Sequence, residues 1–425
     1  MAPTFPDSLT AANLAYREMY PGDAGLRQPV HVVYGGANLF QAGTVAKLSA
    51  LALKAFEQYA PNAHTLAQAC GIADSLAGLI HTRVSEKLRR EAIEDYRIDF
   101  EDGYGIRPDE QEDADAERTA MAFAKAMAEG TLPPFTGIRV KPLNEELKTR
   151  SLGTLHRFLA TLLEQTGGKL PAHFCVTLPK ITAAEQVTAL LAALERYPDV
   201  VIELMMEVPQ LLPQMAALVD LAEGRCVSVH FGPFDYTSTL GITSSHQTLR
   251  HPACDFARMY MQMLLAGRGL WLSDGPTTLI PVAPHRGEDL PAAQLNENSR
   301  AVHDAWKIHF DNISHALYHG FYQGWDLHPA QIPIRYAAVY TFFLEGLEAA
   351  SARLKNFMAT AAQATRVGQV FDDAATGQGL LNYFLRAISC GAIPEADVPA
   401  LTGLTLEQLR TGSFTKIMTE WHSRG

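Results

Sequence analysis

Short apolar runs rich in β-branched and aromatic residues recur along the chain, and most are followed by a longer stretch whose apolar positions repeat at helical spacing. That alternation predicts a parallel sheet whose strands are joined by helices packed over it. The candidate strands are HVVYG (31–35), YRIDFED (96–102), FTGIRV (135–140), HFCVTLPK (173–180), VIELMMEV (201–208), CVSVHFG (226–232), GLWLSDGP (269–276) and FYQGWDLHP (321–329). Between them lie AGTVAKLSALALKAFEQYA, AAEQVTALLAALERY and PQLLPQMAALVDLAEG, each with the Ala- and Leu-rich stripe of a helix that covers a sheet. Eight such strands with helical connections predict an α/β fold, a closed TIM (β/α)8 barrel.

Two connections are longer than the rest. Residues 60–95 hold at least one additional helix and the basic stretch RVSEKLRREA, and 277–320 precede the last strand. Long barrel loops carry lids or subunit contacts. Beyond Ile334 the pattern turns to almost pure helix, in AAVYTFFLEGLEAASARLKNFMATAAQA, GLLNYFLRAISCGA and LEQLRTGSFTKIMTEW. The expected organisation is an N-terminal segment over 1–28, a barrel over 29–336 and a C-terminal helical extension over 337–425. No internal repeat or low-complexity tract interrupts it.

Composition narrows the classes of function. A chain of 425 residues with 47% hydrophobic content can bury one large core or two ordinary ones. A net charge of −11 without any run of Lys and Arg argues against a nucleic-acid binder that works by neutralising phosphates. The five cysteines, Cys70, Cys175, Cys226, Cys254 and Cys390, are odd in number and have no C-x-x-C spacing, which fits reduced thiols better than a disulfide framework and argues against a structural zinc. MAPTFPDSLT lacks the basic and apolar regions of a signal peptide, and no apolar segment approaches the length of a bilayer span. The expectation is a cytoplasmic protein with no membrane partner.

Candidate chemistry comes from where the charges fall. The second strand ends in Asp99, Glu101 and Asp102, the third in Arg139 and Lys141, the fourth in Lys180, the fifth in Glu207, and the sixth runs into FGPFDYTSTLG with Asp235. Barrel active sites are built at those C-terminal strand ends. A single Asp after a strand is ordinarily a turn or cap residue; the set on successive strands is what points to a site. Glu207 and Asp235, from adjacent strand ends, leave open positions for water and substrate oxygens and suit an octahedral Mg²⁺ or Mn²⁺. Such a metal polarises a keto acid's oxygen while an enolate forms, with Arg139 placed to pair with the substrate carboxylate and Gly232 and Pro233 on the substrate side.

Other residues have weaker claims. His315 and His319 stand at i, i+4 spacing, as zinc ligands on a helix can, but no H-E-x-x-H accompanies them and an ordinary helix surface is the expected setting. Among His230, His246 and His251, His230 is the best-placed candidate base. Gly35–Gly36 is open to two readings, close approach of an anion or a tight turn. Trp271 and Trp325 are expected in the core or at the rim.

The ordered motifs Y-G-G, D-F-E-D-G, R-V, L-P-K, M-E, F-G-x-x-D-x-x-x-x-L-G, D-G-P and G-W-x-x-H-P-x-Q-I, over about residues 30–335, resemble the citrate lyase beta-subunit branch of the HpcH/HpaI aldolase family, in the phosphoenolpyruvate/pyruvate superfamily. FGPFDYTSTLG and GWDLHPAQI carry most of the likeness. The resemblance implies a TIM barrel, a divalent metal on Glu207 and Asp235, a substrate-binding Arg139, and an acidic pair, Glu101 and Asp102, that orients metal-bound waters. His328 would shape the pocket wall and the start of the last helix. It further implies a carbon–carbon lyase or aldolase acting on an oxo acid or a coenzyme A thioester through a metal-bound enolate, in a homo-oligomer, often a trimer or hexamer. Malate-synthase-like condensation, thioester hydrolysis and a non-catalytic metabolite- or partner-binding barrel are the alternatives. The chain departs from the pattern at the base. Thioester-handling relatives place an Asp within G-x-x-I-D-x-P, where VFDDAATGQGLLNYF has Gly377, with Asp372 and Asp373 nearby.

Overall fold

The structure is a computed structural model that describes residues 7–22, 25–359, 365–367, 370–372, 374–414 and 416–417. Two compact units divide the chain, one formed by Pro29–Met261 with Trp271–Thr341 and the other by Met1–Gln28, Gln262–Leu270 and Phe342–Gly425.

The first unit is a closed barrel of eight parallel strands in sequential order: β1 (His31–Gly36), β2 (Asp95–Asp99), β3 (Phe135–Arg139), β4 (Phe174–Leu178), β5 (Val201–Met206), β6 (Cys226–Phe231), β7 (Trp271–Asp274) and β8 (Gln323–Trp325). Six fall within a run expected from the pattern, and β1 and β2 each extend one residue beyond theirs, to Gly36 and back to Asp95. Closure is made by β1 against β8, with His31 opposite Gly324 and Val32 opposite Trp325. Just past β8, buried Asp326 ties the seam, accepting from Arg335 Nη2 at 2.8 Å and facing His31 Nδ1 at 3.1 Å and His309 Nε2 at 3.0 Å. The 60–95 connection contains two helices, Ala63–Cys70 and Asp74–Glu91, and the connection before β8 contains the helix Ala292–Tyr318.

Barrel interiors are usually filled by branched aliphatic side chains. Here the strands deliver a polar layer instead. Arg97 forks onto Asp95 at 2.7 and 2.8 Å, and Glu203 accepts from Tyr34 Oη (3.0 Å), Thr177 Oγ1 (2.9 Å) and Ser228 Oγ (2.8 Å). Burial alone would raise the carboxyl of Glu203, but Arg97, His230 and the two hydroxyls hold it below the usual range. Gly137 permits the close strand pairing, since a Cβ there would lie 1.9 Å from the Cys175 carbonyl oxygen.

The second unit is mostly helical. It includes Asp7–Met19, Leu347–Ala359, Ala374–Ser389, Val398–Thr402 and Leu406–Arg410, with an antiparallel pair of short strands, Thr365–Val367 and Val370–Asp372. Phe357, Leu381, Phe384 and Leu409 are buried in it. Among the described residues, no helix is long and apolar enough to cross a membrane.

Candidate active site

The C-terminal end of β2 turns sharply because Asp99 accepts the backbone N–H groups of Glu101 (2.9 Å) and Gly103 (2.8 Å). Any Cβ at Gly103 would come within 2.6 Å of Asp99 Oδ2. The same carboxylate holds Arg139, opposite it on β3, in a two-pronged pair: Nε to Oδ1 at 2.8 Å and Nη2 to Oδ2 at 2.5 Å. Arg139 is only 1% exposed, its guanidinium lies 4.8 Å from the ring centre of Tyr34 and 5.2 Å from that of Trp325, and Nη1 faces Glu101 Oε2 at 3.2 Å. Burial works against its charge, but Asp99 and Glu101 outweigh burial and raise its proton affinity. Arg139 is therefore a fixed cation with one edge, Nη1, outside the Asp99 fork.

Lys180, two residues past β4, sits in the left-handed region at φ 49°. For a residue with a Cβ this costs of order 1 kcal/mol or more, and such strain concentrates at functional sites. The conformation lets the Lys180 backbone N–H donate to Glu207 Oε2 at 2.6 Å while Nζ contacts Glu101 Oε1, Asp102 Oδ2 (2.8 Å) and Asp235 Oδ2 (3.6 Å). Burial opposes the lysine's charge, but the bonds to Asp102 and Glu101 prevail and raise its pKa. Burial would likewise raise Asp102, yet the bond to Lys180 brings that carboxyl below its ordinary value.

Glu207, just beyond β5, is 3% exposed, and burial followed by the charge of Asp235 pushes its pKa up to about 7. Asp235 is the third residue of the short helix Pro233–Thr239, with its side chain 47% exposed. Both carboxylates face Lys180, and Glu207 packs against Gly232, where a Cβ would lie 2.3 Å from Glu207 Cγ and 2.6 Å from Oε1. Pro233 opens the helix and packs over Gly275, whose Cβ would be 2.2 Å from Pro233 Cδ. The donors are all carboxylate oxygens, and the buried one is kept protonated up to about pH 7, by burial first and by the charge of Asp235 second. A hard divalent cation such as Mg²⁺ or Mn²⁺ fits that donor set, with Glu207 and Asp235 as the residues to hold it.

Lys180 thus links Glu101, Asp102, Glu207 and Asp235, and Arg139 joins them through Glu101. Lys141 is not part of this group, since its Nζ donates to the Phe100 carbonyl at 2.5 Å and pairs with Glu112 at 3.0 Å. His230 lies fully buried on β6, its Nδ1 2.8 Å from Ser273 Oγ and its Nε2 without a partner among the described residues; burial lowers its pKa to about 4, so the ring is neutral at pH 7. His246 and His251 bond within their own loop, to Thr243 and Ser245 and to the Ala253 N–H. Gly35 and Gly36 end β1 and serve close packing: a Cβ on Gly36 would lie 2.3 Å from the Gly103 carbonyl oxygen. His328 caps the 3-10 turn Pro329–Gln331 at the start of the helix after β8. Asp372 ends the strand Val370–Asp372, and Asp373 lies outside the described residues. Gly377 packs at a Cβ distance of 2.3 Å from Phe357. The pairing of Asp99 with Arg139 and the rings of Tyr34 and Trp325 around it are not evident from spacing; the Y-G-G and G-W motifs were the signal for the rings.

Comparison with solved structures agrees with the fold. A citrate lyase from Burkholderia xenovorans LB400 superposes with a TM-score of 0.56 at 17% identity, over 88% of this chain and 97% of that one. A CitE protein from Mycobacterium tuberculosis, in complex with magnesium, acetoacetate and coenzyme A, gives a TM-score of 0.48 at 16% identity over 86% and 99% of the two chains. A malate synthase from Haloferax volcanii, as a lead(II) complex, gives 0.44 at 12% identity over 82% and 95%. At these identities the likeness establishes the barrel and nothing about chemistry, and the last two scores carry no weight. No curated protein matches the sequence. The family description that matches is Domain of unknown function (DUF6986), over residues 9–417, and the chain belongs to that family.

Proposed function

We propose that the protein is a metal-dependent carbon–carbon lyase or aldolase that works on a carboxylate substrate through an enolate. The observation that carries this reading is the convergence of two carboxylates on one lysine, Glu207 on the Lys180 amide and Asp235 at its ammonium, with a buried and charge-locked arginine, Arg139, joined to them through Glu101. A divalent cation held by Glu207 and Asp235 would polarise a keto oxygen and stabilise the negative charge of an enolate. Arg139 binds the substrate carboxylate through Nη1, the edge not taken by Asp99, in exchange for its 3.2 Å contact with Glu101 Oε2, and the fork onto Asp99 keeps it from swinging away. Lys180 holds Glu101 and Asp102 in position, and that acidic pair orients water at the mouth. Gly232 and Pro233 form the wall beside the substrate. The likeness to a structure described as a citrate lyase supports the reading at the level of the fold.

Proton exchange tests it. The protein is incubated in D₂O with Mg²⁺ and, separately, pyruvate or acetyl-CoA, and methyl signals are followed by NMR, with Glu207→Gln as the control. Metal-dependent loss of a methyl signal in the wild type alone is the expected result, and the compound that exchanges identifies free oxo acids or thioesters as the substrate class. Exchange that persists in Glu207→Gln would remove this site from the reaction.

A further inference from the structure

A second cluster of ligand-type side chains shares no residue with the group around Lys180. Asp255, on the helix Pro252–Leu265, meets His315 and His319, from the C-terminal end of Ala292–Tyr318, and one ligand atom from each residue lies within 4.8 Å of the other two. All three are partly exposed. Their spacing in sequence shows only the histidine pair; the fold adds an oxygen donor from another helix, 60 residues earlier.

The geometry has the orientation that metal ligands need. The i, i+4 spacing stacks the two imidazoles with ring centres 4.5 Å apart. His319 Nδ1 is 2.9 Å from the His315 carbonyl oxygen, which only accepts, so Nδ1 carries a proton and Nε2 is the nitrogen with the lone pair. His315 Nε2 stands 2.7 Å from Asp255 Oδ1, which accepts, so this nitrogen carries a proton that a binding metal replaces. Arg258, buried and anchored on Asp274 at 3.0 Å, donates to that same oxygen at 2.8 Å and orients the carboxylate, leaving Oδ2 with no hydrogen bond from the described residues. Ligands of a tetrahedral zinc stand about 3.3 Å apart, given bonds of about 2.0–2.1 Å. The ligand atoms, within 4.8 Å of one another, have to draw together by at most about 1.5 Å to reach that size.

We propose that Asp255, His315 and His319 form a Zn²⁺ site with water as the fourth ligand. Two imidazoles and one carboxylate select a borderline transition metal over Mg²⁺, the reverse of the all-oxygen set at the barrel mouth. The two helices lie in the successive connections before β7 and before β8, so the ion cross-links neighbouring elements of the barrel wall.

The test is titration of the full-length protein with Zn²⁺ in the presence of excess Mg²⁺, by calorimetry, with Co²⁺ absorption as a report of coordination. One Zn²⁺ per chain is expected, insensitive to Glu207→Gln and weakened at least about tenfold by His319→Gln or Asp255→Asn, the scale on which even supporting residues affect metal affinity. The tetrahedral Co²⁺ bands should vanish in the double variant His315→Gln/His319→Gln. His319→Gln, at the helix end, provides the readout if the double variant does not fold. Absence of Zn²⁺ binding in the wild type, or binding unchanged in His319→Gln and Asp255→Asn, overturns the site.

Discussion

Gly232 matters because Glu207 occupies the space where any larger residue would put its Cβ, 2.3 Å from Cγ. Gly232→Ala must push that carboxylate aside, and Glu207 is also held from the other side by the Lys180 amide at 2.6 Å. Mg²⁺ affinity is expected to fall at least about tenfold with the barrel intact, by calorimetry and circular dichroism, in line with the sensitivity of metal sites to ligand orientation. Unaltered affinity would show that Glu207 is not a ligand in this position. The same residue sets a pH dependence. Its pKa, raised to about 7 from 4.5 by burial and by Asp235, means that a proton must leave before a cation binds. Apparent Mg²⁺ affinity should therefore climb as pH rises towards about 7, level off above it, and be accompanied by proton release measurable in buffers of different ionisation enthalpy. In the metal-free protein the sign for stability is opposite: the protonated carboxyl stabilises the fold fully below pH 4.5, and that contribution is lost as pH rises through about 7.

The strands could be read from the chain because each is a short apolar run closed by a turn, as Asp99 closes β2 by taking two backbone amides. The inner polar layer could not. Arg97 and Glu203 alternate with apolar neighbours just as residues on a solvent-facing strand would, and only closure of the barrel shows that they point inward. The same holds at the mouth, where the acidic and basic strand ends were visible one by one while the hold on Arg139 depends on Tyr34 from β1, Asp99 from β2 and Trp325 from β8, which meet only when the sheet closes. The polar layer makes a prediction about the strands themselves. Removing the acid in Glu203→Ala leaves Arg97 with less compensation and three hydroxyl donors without their acceptor. Arg97 keeps its fork onto Asp95, so the loss comes chiefly from the orphaned hydroxyls, at about 1–3 kcal/mol for a buried unsatisfied donor; the denaturant midpoint should drop accordingly, while Glu203→Gln, which keeps an acceptor, should lose less. Equal losses in the two variants would mean that packing volume, not hydrogen bonding, is what Glu203 supplies.

Over the whole chain, two units with separate cores imply two melting events. Leu354, Phe357 and Leu381 are buried in the helical unit, whereas the barrel closes on its own strands and wall helices. Differential scanning calorimetry is expected to give a calorimetric enthalpy larger than the van't Hoff value, the signature of departure from a single all-or-none transition. Mg²⁺ then separates the two events, because a ligand stabilises only the state that binds it, and Glu207 and Asp235 both belong to the barrel unit. At a hundredfold excess over its dissociation constant the cation contributes about 2.7 kcal/mol to that unit alone. One transition should move to higher temperature while the other stays in place, and Glu207→Gln should abolish the shift without moving the second event. A single transition with equal enthalpies, shifted as a whole by Mg²⁺, would show that the helical unit melts only with the barrel, and that its core does not suffice to hold it folded alone.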